Sequence, residues 1–329
     1  MKRETNFPIH NTFGIPSRAR VYIEYESEQE LESLIPQLAG QSFLHVGGGS
    51  NLLLTGDFDG VVLHCGIRSI DVLLETDDDV IVRVGGGVVW DSLVETAISR
   101  GWYGAENLSL VPGEVGASAV QNIGAYGVEA KDLIWRVEGY NLSADNRFVL
   151  WGNECDYGYR QSIFKHQLRG QCAITYVCYK FSKHFTPKLD YGNLRSHIAG
   201  EPTAQSVRQA VVSIRRSKLP DPEELGNAGS FFMNPVVTRD VFERLQAKYP
   251  QMPYYEAGNG VKIPAGWLIE QCGWKGRSLG PAGVHDRQAL VLVNRGGATG
   301  ADILALRDAI CKDVLATFGI EIQSEVQTV

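Results

Sequence analysis

Polar and apolar residues alternate over positions 21–25, the period of a half-buried strand, and Ser27-x-x-Glu30 then forms a capping box. The box predicts a helix with Leu31, Leu34, Ile35 and Leu38 on one face. A short apolar strand over 43–46 runs into Gly47-Gly48-Gly49-Ser50-Asn51. Further strands are predicted at 61–63 and 80–84, the second running into Gly85-Gly86-Gly87 and a helix over 90–99. Residues 108–127 are small and turn-rich with few charges, which predicts a long ordered loop packed around something. A strand at 174–181 closes this region, and 187–192 reads as a connector. The helix predicted at 203–218 turns Val207, Ala210, Val211 and Ile214 inward before Pro220-Asp221-Pro222 breaks the chain. Helical patterns follow at 239–249, 262–272 and 302–318, so a domain boundary is expected between 190 and 220.

Composition narrows the function classes. The 329 residues suit two domains, and 44% hydrophobic residues can fill their cores. With 31 Lys and Arg against 38 Asp and Glu the net charge is −7, and no basic block offers nucleic acid a phosphate-binding surface. No apolar run follows the charged start, and nowhere do 18 uncharged apolar residues run together, so a soluble cytoplasmic protein is expected without membrane association. Six cysteines form no CxxC pair and seven histidines no HxxxH, which argues against a metal site or a disulfide framework.

Glycine is the outlier, with 36 residues, about 11% against a usual 7%. A glycine run after a strand lets backbone N–H groups approach an anion without Cβ interference. The familiar nucleotide fingerprints fail, because Leu52 and Trp90 stand where a third glycine belongs and no GxxxxGK[ST] occurs. Tight turns in a β-rich domain are the plain alternative. A third glycine-rich loop over 110–127 mixes small residues with the amides Gln121 and Asn122 and one aromatic, a composition that can wrap a flat heterocycle.

Gly47-Gly-Gly-Ser-Asn51, Pro112-Gly-x-Val-Gly-Ala and Val120-Gln-Asn-Ile-Gly-Ala-Tyr-Gly127 resemble the flavin-binding domain of the UDP-N-acetylenolpyruvoylglucosamine reductase family. The resemblance continues through Tyr157-Gly-Tyr-Arg-Gln-Ser-Ile-Phe-Lys165, Leu189-Asp-Tyr-Gly-Asn193, Arg215-Arg-Ser-Lys218, Gly229-Ser-Phe-Phe-Met-Asn-Pro235 and Ala265-Gly-Trp-Leu-Ile-Glu270, covering almost the whole chain. Arg160-x-Ser162 and Tyr191 resemble the longer, type I branch. The resemblance implies an α+β protein: an FAD-binding region of the vanillyl-alcohol-oxidase/PCMH type over 1–190, with two α/β subdomains at about 1–67 and 68–190. A connector and helix follow over 191–218, then a substrate-binding domain over 219–329 whose last residues return to the active site. It also implies noncovalent FAD, NADPH as hydride donor, and reduction of UDP-N-acetylglucosamine enolpyruvate to UDP-N-acetylmuramate for peptidoglycan synthesis, by a monomer.

Carried over position by position, the resemblance implies three catalytic residues. Arg160 pairs with the substrate carboxylate, Ser230 donates a proton to the carbanionic carbon, and Glu325 hydrogen-bonds the developing enolate, with Glu321 as the other candidate acid. Tyr191, Lys218, Asn234 and Gln288 match positions that bind the UDP-sugar. Gly47, Gly48, Gly49, Ser50 and Asn51 match the FAD pyrophosphate loop. Val111, Pro112, Gly113, Gly116, Gln121, Asn122, Gly124 and Gly127 match the frame of its ring and chain. His45 and His64 match no covalent attachment position, so ordinary packing is expected of them. Each assignment has a plainer rival: a surface salt bridge for Arg160, a helix N-cap for Ser230, a solvated terminal acid for Glu325, a helix-end lysine for Lys218. Two further functions remain open at this stage: another FAD-dependent oxidoreductase on the same fold, and a flavin- or nucleotide-binding module without turnover.

Overall fold

In the computed structural model, which describes residues 1–258 and 260–329, Ser27 caps the first helix, α1 (Glu28–Leu38), by accepting the Glu30 N–H at 3.2 Å. Only half of the predicted box closes: the Glu30 carboxylate takes the N–H of Glu26 instead, at 2.8 Å. Leu31, Leu34, Ile35 and Leu38 are buried, as the pattern requires.

The chain divides into two units. The first comprises Met1–Pro8, Arg18–Gly48 and Phe58–Ser217. Its four-stranded sheet runs in the order Lys2–Pro8, Arg18–Tyr25, Phe58–Cys65, Phe43–Val46; the outer pair is antiparallel and the other two pairings are parallel. α1 packs on this sheet through Ile23, Tyr25, Val61 and Leu63. A five-stranded antiparallel sheet follows, ordered Asn146–Trp151, Ile134–Asn141, Cys172–Ser182, Asp79–Gly85, Ile70–Glu75. Against it lie α2 (Trp90–Ser99) and α3 (Val115–Gln121), sharing a core with Val82, Val84, Val177 and Tyr179. α4 (Ala204–Lys218) buries Val207, Ala210, Val211 and Ile214 against Leu194, Ile198 and Tyr126, within the same unit up to Ser217.

Two features of this unit depart from the pattern reading. The stretch 108–127 is not all loop, because α3 occupies its middle; its glycine, alanines and serine carry no apolar stripe, yet Val115, Gly116, Ser118 and Ala119 are buried. The second glycine triplet has a packing role. A Cβ on Gly85 would meet Ile67 O at 2.2 Å, and one on Gly87 would meet Cys65 O at 2.0 Å, so the chain passes through a gap that excludes side chains.

Glu138 anchors this unit electrostatically. Its carboxylate is 3% exposed and accepts from Arg83 at 2.8 Å, Arg136 at 2.8 Å and Arg147 at 3.2 Å, while Glu28 of α1 lies 3.6 Å from Arg83.

The second unit comprises Ile9–Ser17, Gly49–Asp57 and Lys218–Val329. It thus draws in two short segments that the sequence reading places in the first domain. Phe13, Ile15 and Leu53 join the core formed by α5 (Arg239–Lys248), α6 (Ala265–Gln271) and α7 (Gly300–Phe318). The chain passes between units inside the Gly47-Gly48-Gly49 triplet. α6 begins three residues later than the pattern suggested, because Gly260–Lys262 is a strand and Pro264 sets the helix start. The sheets are a four-stranded one (Asn227–Ser230, Val291–Asn294, Ala282–Val284, Ser278–Leu279), a three-stranded one, and a parallel pair joining Gln327–Thr328 to Leu52–Leu53.

Candidate active site

Strained backbone marks one region of the first unit. Among the described residues seven non-glycines have positive φ, and four of them are Leu110, Asn122, Tyr126 and Arg160. Such conformations cost energy and persist only where surroundings over-determine them. Here the surroundings do. The Leu110 N–H donates to Asp91 at 2.6 Å and its carbonyl accepts from Arg215 Nε at 3.2 Å. Asp91 is itself gripped by Arg208 through two bonds of 2.6 and 2.8 Å, linking α2 to α4. Burial would raise the Asp91 pKa, but Arg208 and the Leu110 N–H outweigh it and hold the carboxylate below its ordinary range. Asn107 donates to the carbonyls of Tyr126 and Lys188, both at 2.8 Å.

Arg160 is half-buried. It donates to Gly124 O at 2.8 Å and stacks over Tyr159. Asn122 is fully buried and its amide is committed within the protein: it donates to Glu129 and to Gly158 O, and accepts from the Lys131 N–H. Gly116 lies at the start of α3, where its N–H donates to Gly86 O at 2.9 Å. Val111, Pro112, Gly113, Gln121, Gly124 and Gly127 all lie on this α3-centred segment. Tyr191 is 42% exposed; its ring meets Tyr126 edge-on at 6.3 Å, and a Cβ on Gly127 would sit 3.4 Å from it.

A charged cluster that pattern reading missed lies beside the first glycine loop. His64 pairs with Glu114 at 3.0 Å and with Glu24 at 3.4 Å, and Tyr22 Oη lies 3.1 Å from its Nδ1. Burial alone would lower the His64 pKa, but Glu114 and Glu24 outweigh it and raise it above the ordinary value. A raised folded-state pKa means the stabilisation is full below the unfolded value and fades as pH rises through the folded one. The stability difference between wild type and His64→Gln is therefore expected to be largest below about pH 6.5 and to close in alkali. Denaturant midpoints from pH 5.5 to 9 measure it; a gap that is constant across that range removes the ionic role. His45, by contrast, is driven down to about 4 by burial and shares a 2.8 Å hydrogen bond with Tyr25.

In the second unit Ser230 ends the strand Asn227–Ser230 and caps no helix, since Phe231 and Phe232 continue as buried extended chain. Gly229 sits at φ +67° where the register against Val291–Asn294 slips, a bulge that re-aims the next side chain. The Glu325 N–H donates to Phe231 O at 2.8 Å, so the segments bearing Ser230 and Glu325 are bonded neighbours; Glu321 is exposed. Asn234 Oδ1 accepts the Ala265 N–H at 2.9 Å, and Gln288 Oε1 would lie 3.1 Å from a Cβ on Gly266. Both amides thus lie by the start of α6, although 54 residues separate them in sequence, while Lys218 is exposed where α4 ends. Gly49 has φ +67°, and a Cβ there would meet His10 O at 2.3 Å. Ser50 and Asn51 complete that turn.

Whether these residues suit FAD can be judged from what side chains would do at the glycines of the first unit. A Cβ on Gly47 would lie 3.2 Å from the Glu114 carboxylate and 3.4 Å from Ala117, and one on Gly48 would face Gly113 Cα at 3.8 Å. Gly48 and Gly113 oppose bare backbone, and Gly47 leaves beside Glu114 and Ala117 a space that a Cβ would fill, which gives N–H groups the approach a pyrophosphate needs. The residues fit the group.

Residues 19–141 match the family model described as an FAD binding domain, which with this cradle on an α+β scaffold makes the chain an FAD-binding flavoprotein. Residues 221–329 match the model of the UDP-N-acetylenolpyruvoylglucosamine reductase C-terminal domain. A UDP-N-acetylenolpyruvoylglucosamine reductase of Bacteroides fragilis is 56% identical over 330 residues, covering 99% of each chain. Proteins of the same description from Flavobacterium johnsoniae and Burkholderia pseudomallei are 43% and 47% identical, over 100% and 96% of this chain and 100% and 94% of their own. The chain belongs to the UDP-N-acetylenolpyruvoylglucosamine reductase family. The crystal structure of the Thermus caldophilus member shares its fold, with a TM-score of 0.69 over 99% of this chain and 98% of that one at 22% identity.

Proposed function

We propose that this chain reduces UDP-N-acetylglucosamine enolpyruvate to UDP-N-acetylmuramate, using NADPH and noncovalent FAD, in the synthesis of peptidoglycan precursors. The observation that carries the reading at the level of residues is the bonded pairing of the Ser230 and Glu325 segments, joined by the Glu325 N–H to Phe231 O bond of 2.8 Å. Bound to this chain, FAD would supply hydride transfer, from NADPH to the enolpyruvyl methylene carbon. Residues 47–51 would hold its pyrophosphate, and the segment 111–127 would frame its ring and chain.

Hydride addition leaves an electron pair on the adjacent carbon, delocalised into the substrate carboxylate. Arg160 pairs with that carboxylate, its guanidinium remaining charged throughout. Glu325, protonated, donates a hydrogen bond to the enolate oxygen. The Ser230 hydroxyl gives its proton to the carbon, completing the lactyl ether, and is reprotonated from solvent. The weak acidity of serine suffices because an enolate is a strong base held within reach. Tyr191, Lys218, Asn234 and Gln288 bind the UDP-sugar, with Lys218 supplying cationic charge to the diphosphate in an otherwise acidic protein. On the same reading the enzyme is a cytoplasmic monomer, and its six free thiols suit a reducing compartment.

Anaerobic stopped-flow spectroscopy tests the reading. The flavin should be bleached by NADPH and recover its colour when the enolpyruvyl UDP-sugar is added; recovery with oxygen but not with the sugar would mean a different substrate. In the same assay Glu325→Gln should slow the second phase far more than Glu321→Gln, whose side chain lies on the exposed face. A larger loss at 321 would move the acid there.

A further inference from the structure

Side-chain direction at any residue is set by its two flanking peptide planes, and at Glu325 both are tied. The N–H is held by Phe231 O at 2.8 Å, and the carbonyl accepts from Asn51 Nδ2 at 3.3 Å. Asn51 then grips the chain a second time, because its own carbonyl accepts the Gln327 N–H at 3.1 Å. Between these two bonds Val326 is buried, 4% exposed. The grip continues as a parallel ladder, with Gln327 opposite Leu52, Thr328 opposite Leu53, and the Val329 N–H donating to Leu53 O at 2.9 Å. Asn51 is also the last residue of the turn that follows the glycine triplet, and that turn is tied to the Ile9–Ser17 segment by the Thr12 N–H, which donates to Gly49 O at 3.2 Å.

We propose that Asn51 is a positioning residue for Glu325: the turn assigned to the cofactor pyrophosphate also aims the acid, through the Asn51 amide and the Leu52–Leu53 ladder. This rests on the assignment of Glu325 as the acid. Its consequence is that loading the cofactor and placing the acid are one mechanical event. Binding at the turn orders Asn51, and Asn51 orders the peptide on either side of Val326.

The test uses FAD-loaded enzyme and two changes that break the grip at different atoms. Gln327→Pro removes the N–H given to the Asn51 carbonyl, at an exposed strand position where extended backbone tolerates proline, and Gln327→Ala keeps that bond. Val329→Pro removes the N–H given to Leu53 O at the far end of the ladder, at a residue outside the cofactor loop, and serves should the first proline variant fail to fold. Both are expected to slow flavin reoxidation by the enolpyruvyl sugar roughly 10- to 100-fold, as misplacement of a catalytic group does, with flavin reduction by NADPH nearly unchanged. The pH profile of reoxidation should shift in both, since the environment of Glu325 changes, and Gln327→Ala should match wild type. Independently of turnover, deuterium exchange at the Gln327 and Val329 amides should be slower with FAD than without it. If Glu325→Gln slows reoxidation but neither grip-breaking variant does, or exchange is indifferent to FAD, the positioning role is overturned. If Glu325→Gln itself is harmless, the acid assignment fails instead.

Discussion

Ser230→Ala should leave flavin reduction by NADPH near the wild-type rate and slow reoxidation by the enolpyruvyl sugar by about 10²- to 10⁴-fold, the usual contribution of a general acid. The separation follows from when the hydroxyl acts. It has nothing to do until the substrate carbon is carbanionic, so its loss falls on one transition state alone. The structural cost of the change is small. Ser230 is the terminal residue of its strand, paired through backbone to Val291, and alanine keeps that pairing. The buried Phe231 and Phe232 that follow are untouched. Solvent deuterium should slow reoxidation in wild type and much less in the variant, because the transferred proton is then no longer the serine's. Equal damage to both half-reactions would remove the proton-donor role.

Glu138→Ala should destabilise the first unit by about 3 kcal/mol, the lower end for breaking a buried ion pair. Three guanidiniums converge on this one carboxylate, and only Arg147, 47% exposed, can turn to water easily. Arg83 is confined between Glu138 and the Tyr176 ring, 3.2 Å below its guanidinium carbon, so it would be left charged and poorly solvated. For a unit of this size the loss corresponds to roughly 6–12 °C in melting temperature, at 2–4 °C per kcal/mol. The pH dependence has a definite sign. Burial would raise the Glu138 pKa, but Arg83 and Arg136 overcome it and hold the carboxylate below its ordinary range. A lowered folded-state pKa gives stability that is present above the unfolded value and lost as pH falls through the folded one. The difference between wild type and variant should therefore be full at neutrality and shrink below about pH 4.5. Calorimetry at pH 7 and pH 3.5 reads both; equal melting temperatures at neutrality would show that the cluster contributes nothing net.

Elements whose side chains carry a period were legible from sequence. α1 was announced by Ser27 and four spaced leucine and isoleucine residues, and α2 is the helix expected over 90–99, with Trp90, Leu93, Val94 and Ala97 buried. α3 was hidden because it is buried on most sides by small residues, so its helical period has no polar face to contrast with. The recruitment of Ile9–Ser17 and Gly49–Asp57 into the second unit was invisible for a different reason. It depends on Phe13, Ile15 and Leu53 meeting residues some two hundred positions away, and nothing in their neighbours encodes that. The family blocks pointed to Arg160, Ser230 and Glu325, and the structure adds that the segments bearing two of them are neighbours, joined through the Glu325 N–H and Phe231 O. Asp91, Asn107, Arg208 and the Glu24–His64–Glu114 cluster were missed entirely. Single acidic, amide and basic residues are common on helices and strands, and only tertiary contact distinguishes these from solvated ones.

The left-handed backbone at Leu110, Asn122, Tyr126 and Arg160 bears on how this protein would respond to selection for heat resistance. Glycine at Leu110 would relieve on the order of 1 kcal/mol of strain, whereas at Tyr126 it would also delete the ring that packs on the α4 core, so a screen that rewards survival alone would find Leu110 early and pass over Tyr126. The Leu110 replacement would free the segment that Asp91 and Arg215 hold in place. Thermostable isolates changed there should be hardier proteins and poorer enzymes, whereas gains made on α5 or α7 carry no such penalty.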